Sequence, residues 1–176
     1  MSFPHPLPLE LLKAPAGAPP NLAFRPVRRD DLFPLHRALY PHLALSALRA
    51  RLEISVKEQA SGQRIHLIAE FTRGGYHDRQ ATLVGSGELI NYIGRKVEIA
   101  NLAVAPAHRG RGIGSALITV FCHLARAGGY RSVEISVLVE NERALALYQR
   151  LGFKQSRLVT IPGRGEAAIL KKELSS

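Results

Sequence analysis

The sequence predicts a single α/β domain built on a mixed sheet, and three observations carry that reading. Apolar residues switch between periods of about 2 and about 3.6, in the order strand, two helices, three strands, helix, strand, helix, two strands. One strand, helix, strand crossover encloses the glycine-rich stretch RGRGIG. With 176 residues, 46% of them hydrophobic, the chain can fill one core and has no room for a second full domain.

The elements follow in chain order. Residues 1–21 hold six prolines, at positions 4, 6, 8, 15, 19 and 20, and little periodicity, so an arm or loose extension outside the core is expected, with the domain proper at 22–176. LAFRPV reads as a short strand, and Asp30 as the N-cap of a helix in RDDLFPLHRAL. A second helix over residues 43–59 would bury Leu45, Leu48, Leu52 and Val56 along one face. RIHLIAEF, the loop TRGGYHD and QATLVGSGELI form a predicted hairpin, and the turn NYIGR leads into a fourth strand, VEIANLAV, that ends before Pro106. After the glycines a helix runs to about Ala127, with Ile113, Ala116, Leu117, Val120, Phe121 and Leu124 on one stripe and Gly128 or Gly129 as C-cap. RSVEISVLV is the fifth strand, NERALALYQRL a further helix, GFKQSRLV the sixth strand and EAAILKKEL the last.

Charge narrows the partners without choosing one. Lys and Arg number 24 against 14 Asp and Glu, giving +10 and a pI near 10.4, so a polyanion is a suitable partner. The charges are scattered, with no dense basic block and no tryptophan, which makes nucleic acid the least favoured partner but leaves three readings: a merely solvated basic surface, attraction of a phosphorylated cofactor, and a nucleic-acid or ribosomal surface. No apolar run approaches the roughly 20 residues needed to cross a bilayer, and the N-terminus lacks a basic, then apolar, leader pattern; no membrane association and a cytoplasmic location are expected. A lone Cys122 excludes an internal disulfide and any multi-cysteine metal site, and no metal is expected.

Glycines at 110, 112 and 114 stand directly before an apolar helix. Amide N–H groups at a helix start are unpaired and electropositive, and glycine lets an anion approach them closely. Arg109 and Arg111 add charge at the rim, which suits a diphosphate better than one carboxylate. A nucleotide-triphosphate loop would need Lys and then Ser or Thr after its last glycine, whereas Ser115 and Ala116 follow here. A dinucleotide fingerprint is matched by Gly110, Gly112 and Ser115, but it belongs after the first strand rather than the fourth. A glycine-rich helix entry with no ligand is the remaining alternative.

The segment from Arg109 to Gly114, preceded by EIANLAVAP, resembles motif A of the GNAT superfamily of N-acetyltransferases. A second block, from Asn141 through Ala144 and Tyr148 to Gly152 and Phe153, is similar to another of that family's patterns, and AFRPVRRDDL looks like its first strand and turn. The likeness covers residues 22–174, most strongly 97–154. It implies a mostly antiparallel mixed sheet of six to seven strands flanked by about four helices, the fourth and fifth strands splayed. It further implies acetyl-CoA as acyl donor, its pyrophosphate on the amides of Arg109, Gly110, Arg111, Gly112, Ile113, Gly114 and Ser115, and its pantetheine paired with freed backbone at Leu102, Ala103 and Val104.

For catalysis the resemblance implies three roles. The Leu102 N–H would donate to the thioester oxygen. Tyr148 would protonate the departing sulfur; alternatively it is a packed tyrosine with a satisfied hydroxyl. Glu98, on a strand face shared with Ala100, Leu102 and Val104 if alternation holds, would be the base that takes the amine's proton, directly or through water; alternatively it pairs with Lys96 or Arg95. Asn141 reads as a helix N-cap that can also touch the cofactor. The acceptor is an amine, small molecule or protein. Bases outnumber acids in residues 36–60, which favours a neutral or acidic amine, a protein N-terminus or a lysine over a polycation. A non-catalytic acyl-CoA sensor and a basic ribosome- or nucleic-acid-associated adaptor are the alternatives from other classes. Homodimers are common in the family, though no single feature of this sequence shows one.

Overall fold

The computed structural model describes residues 3, 6–73, 80–92 and 96–174, so parts of the expected TRGGYHD loop and NYIGR turn lie outside the described residues. Strands β1 (Leu22–Pro26), β2 (Arg64–Arg73), β3 (Gln80–Tyr92), β4 (Lys96–Val104), β5 (Ser132–Leu138), β6 (Lys154–Ile161) and β7 (Gly165–Glu173) form one sheet in the order β1-β2-β3-β4-β5-β7-β6. Every neighbouring pair is antiparallel except β4 with β5. That single parallel pair follows from the crossover, since parallel neighbours need a long connection and here it is the helix α3 (Ile113–Ala127). The remaining helices are α1 (Leu32–Ala38), α2 (Leu45–Ala60) and α4 (Glu142–Arg150).

The sheet is covered on both faces. On one, α3 presses its expected stripe onto Ile65, Leu67, Leu89, Val97 and Ile99. On the other, Leu32 and Leu35 of α1 and Leu48 and Leu52 of α2 enclose Ile68. Gly87 marks how tightly α3 is seated, because a Cβ there would stand 2.8 Å from Phe121 and 3.0 Å from Leu102.

Two local expectations are corrected. The described residues of the 1–21 segment are not a loose extension: Phe3 and Leu12 are buried in the α3-side core, the Phe3 N–H donates to Gly62 O at 2.8 Å, and its ring lies 5.5 Å from Tyr130. The cause is α3 itself, which buries Ile118, Cys122 and Ala125 as well as its sheet-facing stripe and therefore needs an apolar cover on its outer side. The cap of α1 falls on Asp31, not Asp30, because a 3-10 turn (Arg29–Asp31) intervenes. Asp31 accepts the Arg28 N–H at 2.7 Å and pairs with Arg25, whose Nε also bonds Glu70, so this buried carboxylate is neutralised where it lies.

Between the sheet and α2, His66 is buried, with Nε2 2.8 Å from Ser86 Oγ and Nδ1 without a partner. Burial, aided by nearby Arg64 and Arg51 and opposed by Glu88, pushes its pKa down to about 4. The unfolded chain takes up this proton near pH 6.5 and the folded one only near 4, so stability falls as pH drops through that window, by as much as about 3 kcal/mol. Urea unfolding at pH 7, 5.5 and 4.5 is expected to show that loss, and His66→Gln to remove this part of the slope.

Candidate functional site

The site begins where two strands part. β4 and β5 pair only at Glu98 with Glu134 and Ile99 with Ile135. Past that point β4 stays on β3 and β5 stays on β7. An extra residue in β4 marks the fork: Ser86 faces Ala103 and Glu88 faces Ala100, so two steps on β3 match three on β4, and Asn101 takes up the difference at φ 52°.

This bulge changes which side chains share a face. Val97 and Ile99 point to the α3 core, and so do Leu102 and Val104. Glu98 and Ala100 therefore lie on the opposite face, which corrects the expectation that Glu98 shares an apolar face with Leu102. The Glu98 carboxylate accepts the Ser136 hydroxyl at 2.9 Å, from β5. The bulge also sets the backbone. The Ala105 N–H returns to Val84 O on β3, so alternation turns the N–H and C=O of Val104 and Leu102 into the gap between β4 and β5.

From Val104 the chain passes through a short turn (Pro106–His108) to α3. Gly110 and Gly112 have φ of 78° and 84°, a region costly for a side chain, and Gly112 is the helix N-cap. The first helical bond is from the Ala116 N–H to Gly112 O. Among the described residues, no backbone hydrogen bond is made by the N–H groups of residues 110–115. Six consecutive donors are thus free, at the positive end of a helix. The Arg109 N–H is not one of them: it bonds Pro106 O at 3.3 Å, and its side chain reaches Val104 O.

The opposite wall is α4. Asn141 caps it, its Oδ1 accepting the Ala144 N–H at 3.1 Å. Two turns on, Tyr148 is buried, and burial raises its hydroxyl pKa so that the phenol keeps its proton. No other described residue hydrogen-bonds that hydroxyl.

One cleft of about 550 Å³ joins the two walls. Of the residues singled out from the sequence, Leu102, Val104, Arg109, Gly110, Gly112, Ile113, Gly114, Ser115, Asn141 and Tyr148 line it, whereas Ala103, Arg111 and Glu98 do not. His108, Arg143, Ala144, Leu147 and Arg150 line it too and were missed. The α4 members had a readable signal, since 143, 147 and 150 recur at i, i+4 and i+7 on a helix already carrying Asn141 and Tyr148. Among the described residues no carboxylate lines the cleft, where three arginines stand together. With the six free amides and the buried, unpartnered His108 Nδ1, this donor set fits a phosphorylated ligand such as CoA. Among the described residues no three His, Cys, Asp or Glu are grouped to hold a metal, and no helix is long and apolar enough to cross a membrane.

Comparison with known proteins gives a concordant result. The family model described as "Acetyltransferase (GNAT) family" matches residues 31–153. An uncharacterised N-acetyltransferase of Methanocaldococcus jannaschii is 47% identical over 62 residues, 35% of this chain and 27% of that protein. The N-alpha-acetyltransferase RimI of Mycobacterium tuberculosis is 38% identical over 78 residues, 42% of this chain and 47% of the relative. The match thus spans less than half the length of either. The crystal structure of Vibrio cholerae spermidine N-acetyltransferase with CoA and spermine has the same fold, at TM-score 0.68 and 24% identity over 88% of this chain and 96% of that one.

Gly112→Val puts a branched side chain at a positive φ beside the free amides. CoA affinity by calorimetry is expected to fall at least about tenfold, or 1.4 kcal/mol. Unchanged affinity would remove the amide cradle from the argument.

Proposed function

Because the chain belongs to the GNAT acetyltransferase family, we propose that it is an acetyl-CoA-dependent N-acetyltransferase that passes the acetyl group to a primary amine by direct attack on the thioester. One observation carries this reading: six free amides and a protonated, unpartnered tyrosine face each other across a cleft that opens onto unpaired strand backbone. Acetyl-CoA would supply the activated acyl group, with CoA thiol as the leaving group. In this reading the amides of residues 110–115, with Arg109 and Arg143, hold its pyrophosphate, and the backbone of Leu102 and Val104 receives the pantetheine as a substitute strand. The Leu102 N–H donates to the carbonyl oxygen as charge develops on it. The amine nitrogen bonds to the carbonyl carbon, the C–S bond breaks, and the Tyr148 hydroxyl gives its proton to the sulfur. We read residues 22–176 as the single transferase domain, with Phe3 and Leu12 from the segment before it packed on its core.

The bulge gives Glu98 a different place in this scheme. It sits at the last paired position before the fork, on the face away from the cleft. An amine that crosses the gap from the α1 and α2 side meets it first, so we retain Glu98 as the proton acceptor, acting through water. On that side Arg51 lies 5.5 Å over the Tyr40 ring, and the carboxylate of Glu88 is already matched by Arg64 and Arg51. This supports a neutral or acidic amine, or a peptide amine, rather than a polyamine.

The decisive test is release of CoA thiol from acetyl-CoA with separate pools of polyamines and aminoglycosides, amino acids, small amines, and peptides. Release with amino acids or peptides is expected. Release with polyamines alone would overturn the acceptor assignment, and CoA binding without release from any pool would favour a sensor. With an active acceptor, Tyr148→Phe is expected to lower kcat by about 100-fold or more while CoA affinity holds.

A further inference from the structure

Asn101 takes a backbone conformation that glycine adopts freely, yet the position is not glycine. Its side chain has a use. Asn101 Nδ2 donates to Glu88 Oε1 at 3.1 Å, and Asn101 O accepts the Tyr40 hydroxyl at 3.3 Å. Both partners approach from the face opposite the cleft. Glu88 is itself 3% exposed and is gripped by Arg64, with Arg51 at 3.6 Å. Such a carboxylate is a fixed anchor, since every group it bonds must move if it moves.

What is anchored is a choice of register. Without the extra residue β4 would alternate evenly, and the N–H of Ala103 rather than Leu102 would face the gap. We propose that Asn101, clamped by Glu88 and Tyr40, is a positioning residue that holds the Leu102 N–H in the gap so that it polarises the thioester carbonyl. The inference rests on the acetyl-CoA reading above and adds to it a side-chain network behind the bulge, on the face opposite the cleft.

The test separates positioning from plain stability. Asn101→Gly keeps the conformation and the backbone oxygen that accepts from Tyr40, and loses the side-chain bond to Glu88. Glu88→Gln keeps an oxygen for Asn101 and loses the ion pairs with Arg64 and Arg51. The probe is acetyl-CoA labelled with ¹³C at the thioester carbonyl, whose bound stretching frequency is read by infrared difference spectroscopy. The unmodified protein is expected to lower that frequency. Asn101→Gly should return it toward the free value and lower kcat about 10- to 100-fold, with CoA affinity and melting temperature nearly unchanged. Glu88→Gln should do the reverse, with a lowered melting temperature and a retained shift. A purely structural role would make shift and stability fall together. An unmodified shift in Asn101→Gly, or none in the parent protein, would overturn the inference alone; failure of the parent to bind acetyl-CoA would overturn the underlying reading and this inference with it.

Discussion

Unpaired backbone donors organise this molecule. A buried N–H without a partner costs about 1–3 kcal/mol, so folded chains rarely leave several together. Here unpaired N–H groups are left open to a cleft instead, at two adjoining places: the β5 side of β4 beyond Ile99, and the run of residues 110–115, of which Gly110, Arg111 and Gly112 are exposed. Both border one cleft, and the short turn at Pro106–His108 joins them. The recognition surface is therefore largely main chain. Glycine at 110 and 112 and the extra residue at 101 are the sequence devices that keep it open.

The charge of the chain reads differently once its arginines are located. Arg25 and Arg64 serve buried carboxylates, and Arg157 closes on Glu134. Arg109, Arg143 and Arg150 border the cleft with no acid among its described walls. The net charge of +10 thus includes a local field at the one place where free amides also point. Scattered positions in the sequence, on a loop and on α4, converge because α4 packs beside the start of α3: a Cβ at Gly110 would lie 3.7 Å from Arg143, and one at Gly114 3.7 Å from Leu147.

How much of this was legible depended on range. Helix α3 and the strands around it were readable because each repeats one period over many residues, and the glycine stretch was readable because it opposes side chains where a helix starts. The bulge at Asn101 was not. EIANLAV alternates acceptably in either register, and only the pairing with Ser86 and Glu88 shows that a residue has been inserted. That one insertion moved Glu98 to the other face. Arg143 and Arg150 were partly legible, standing with Leu147 at helical spacing on the element that carries Asn141 and Tyr148, but their part in the cleft also depends on where α4 docks. The prolines of residues 1–21 suggested a free arm because they break periodicity, but burial of Phe3 and Leu12 needs no regular element.

The packing of Phe3 against Tyr130, and of Pro19 within 3.9 Å of where a Gly112 side chain would begin, has a consequence for how the chain is made. Its first residues leave the ribosome long before the helix they cover. Until residues 113–127 emerge, Phe3 and Leu12 lack the helix that completes their burial, and afterwards α3 stays partly bare until they return. Closure of the core is thus one of the chain's most non-local events, and such contacts form slowly and leave apolar surface open meanwhile.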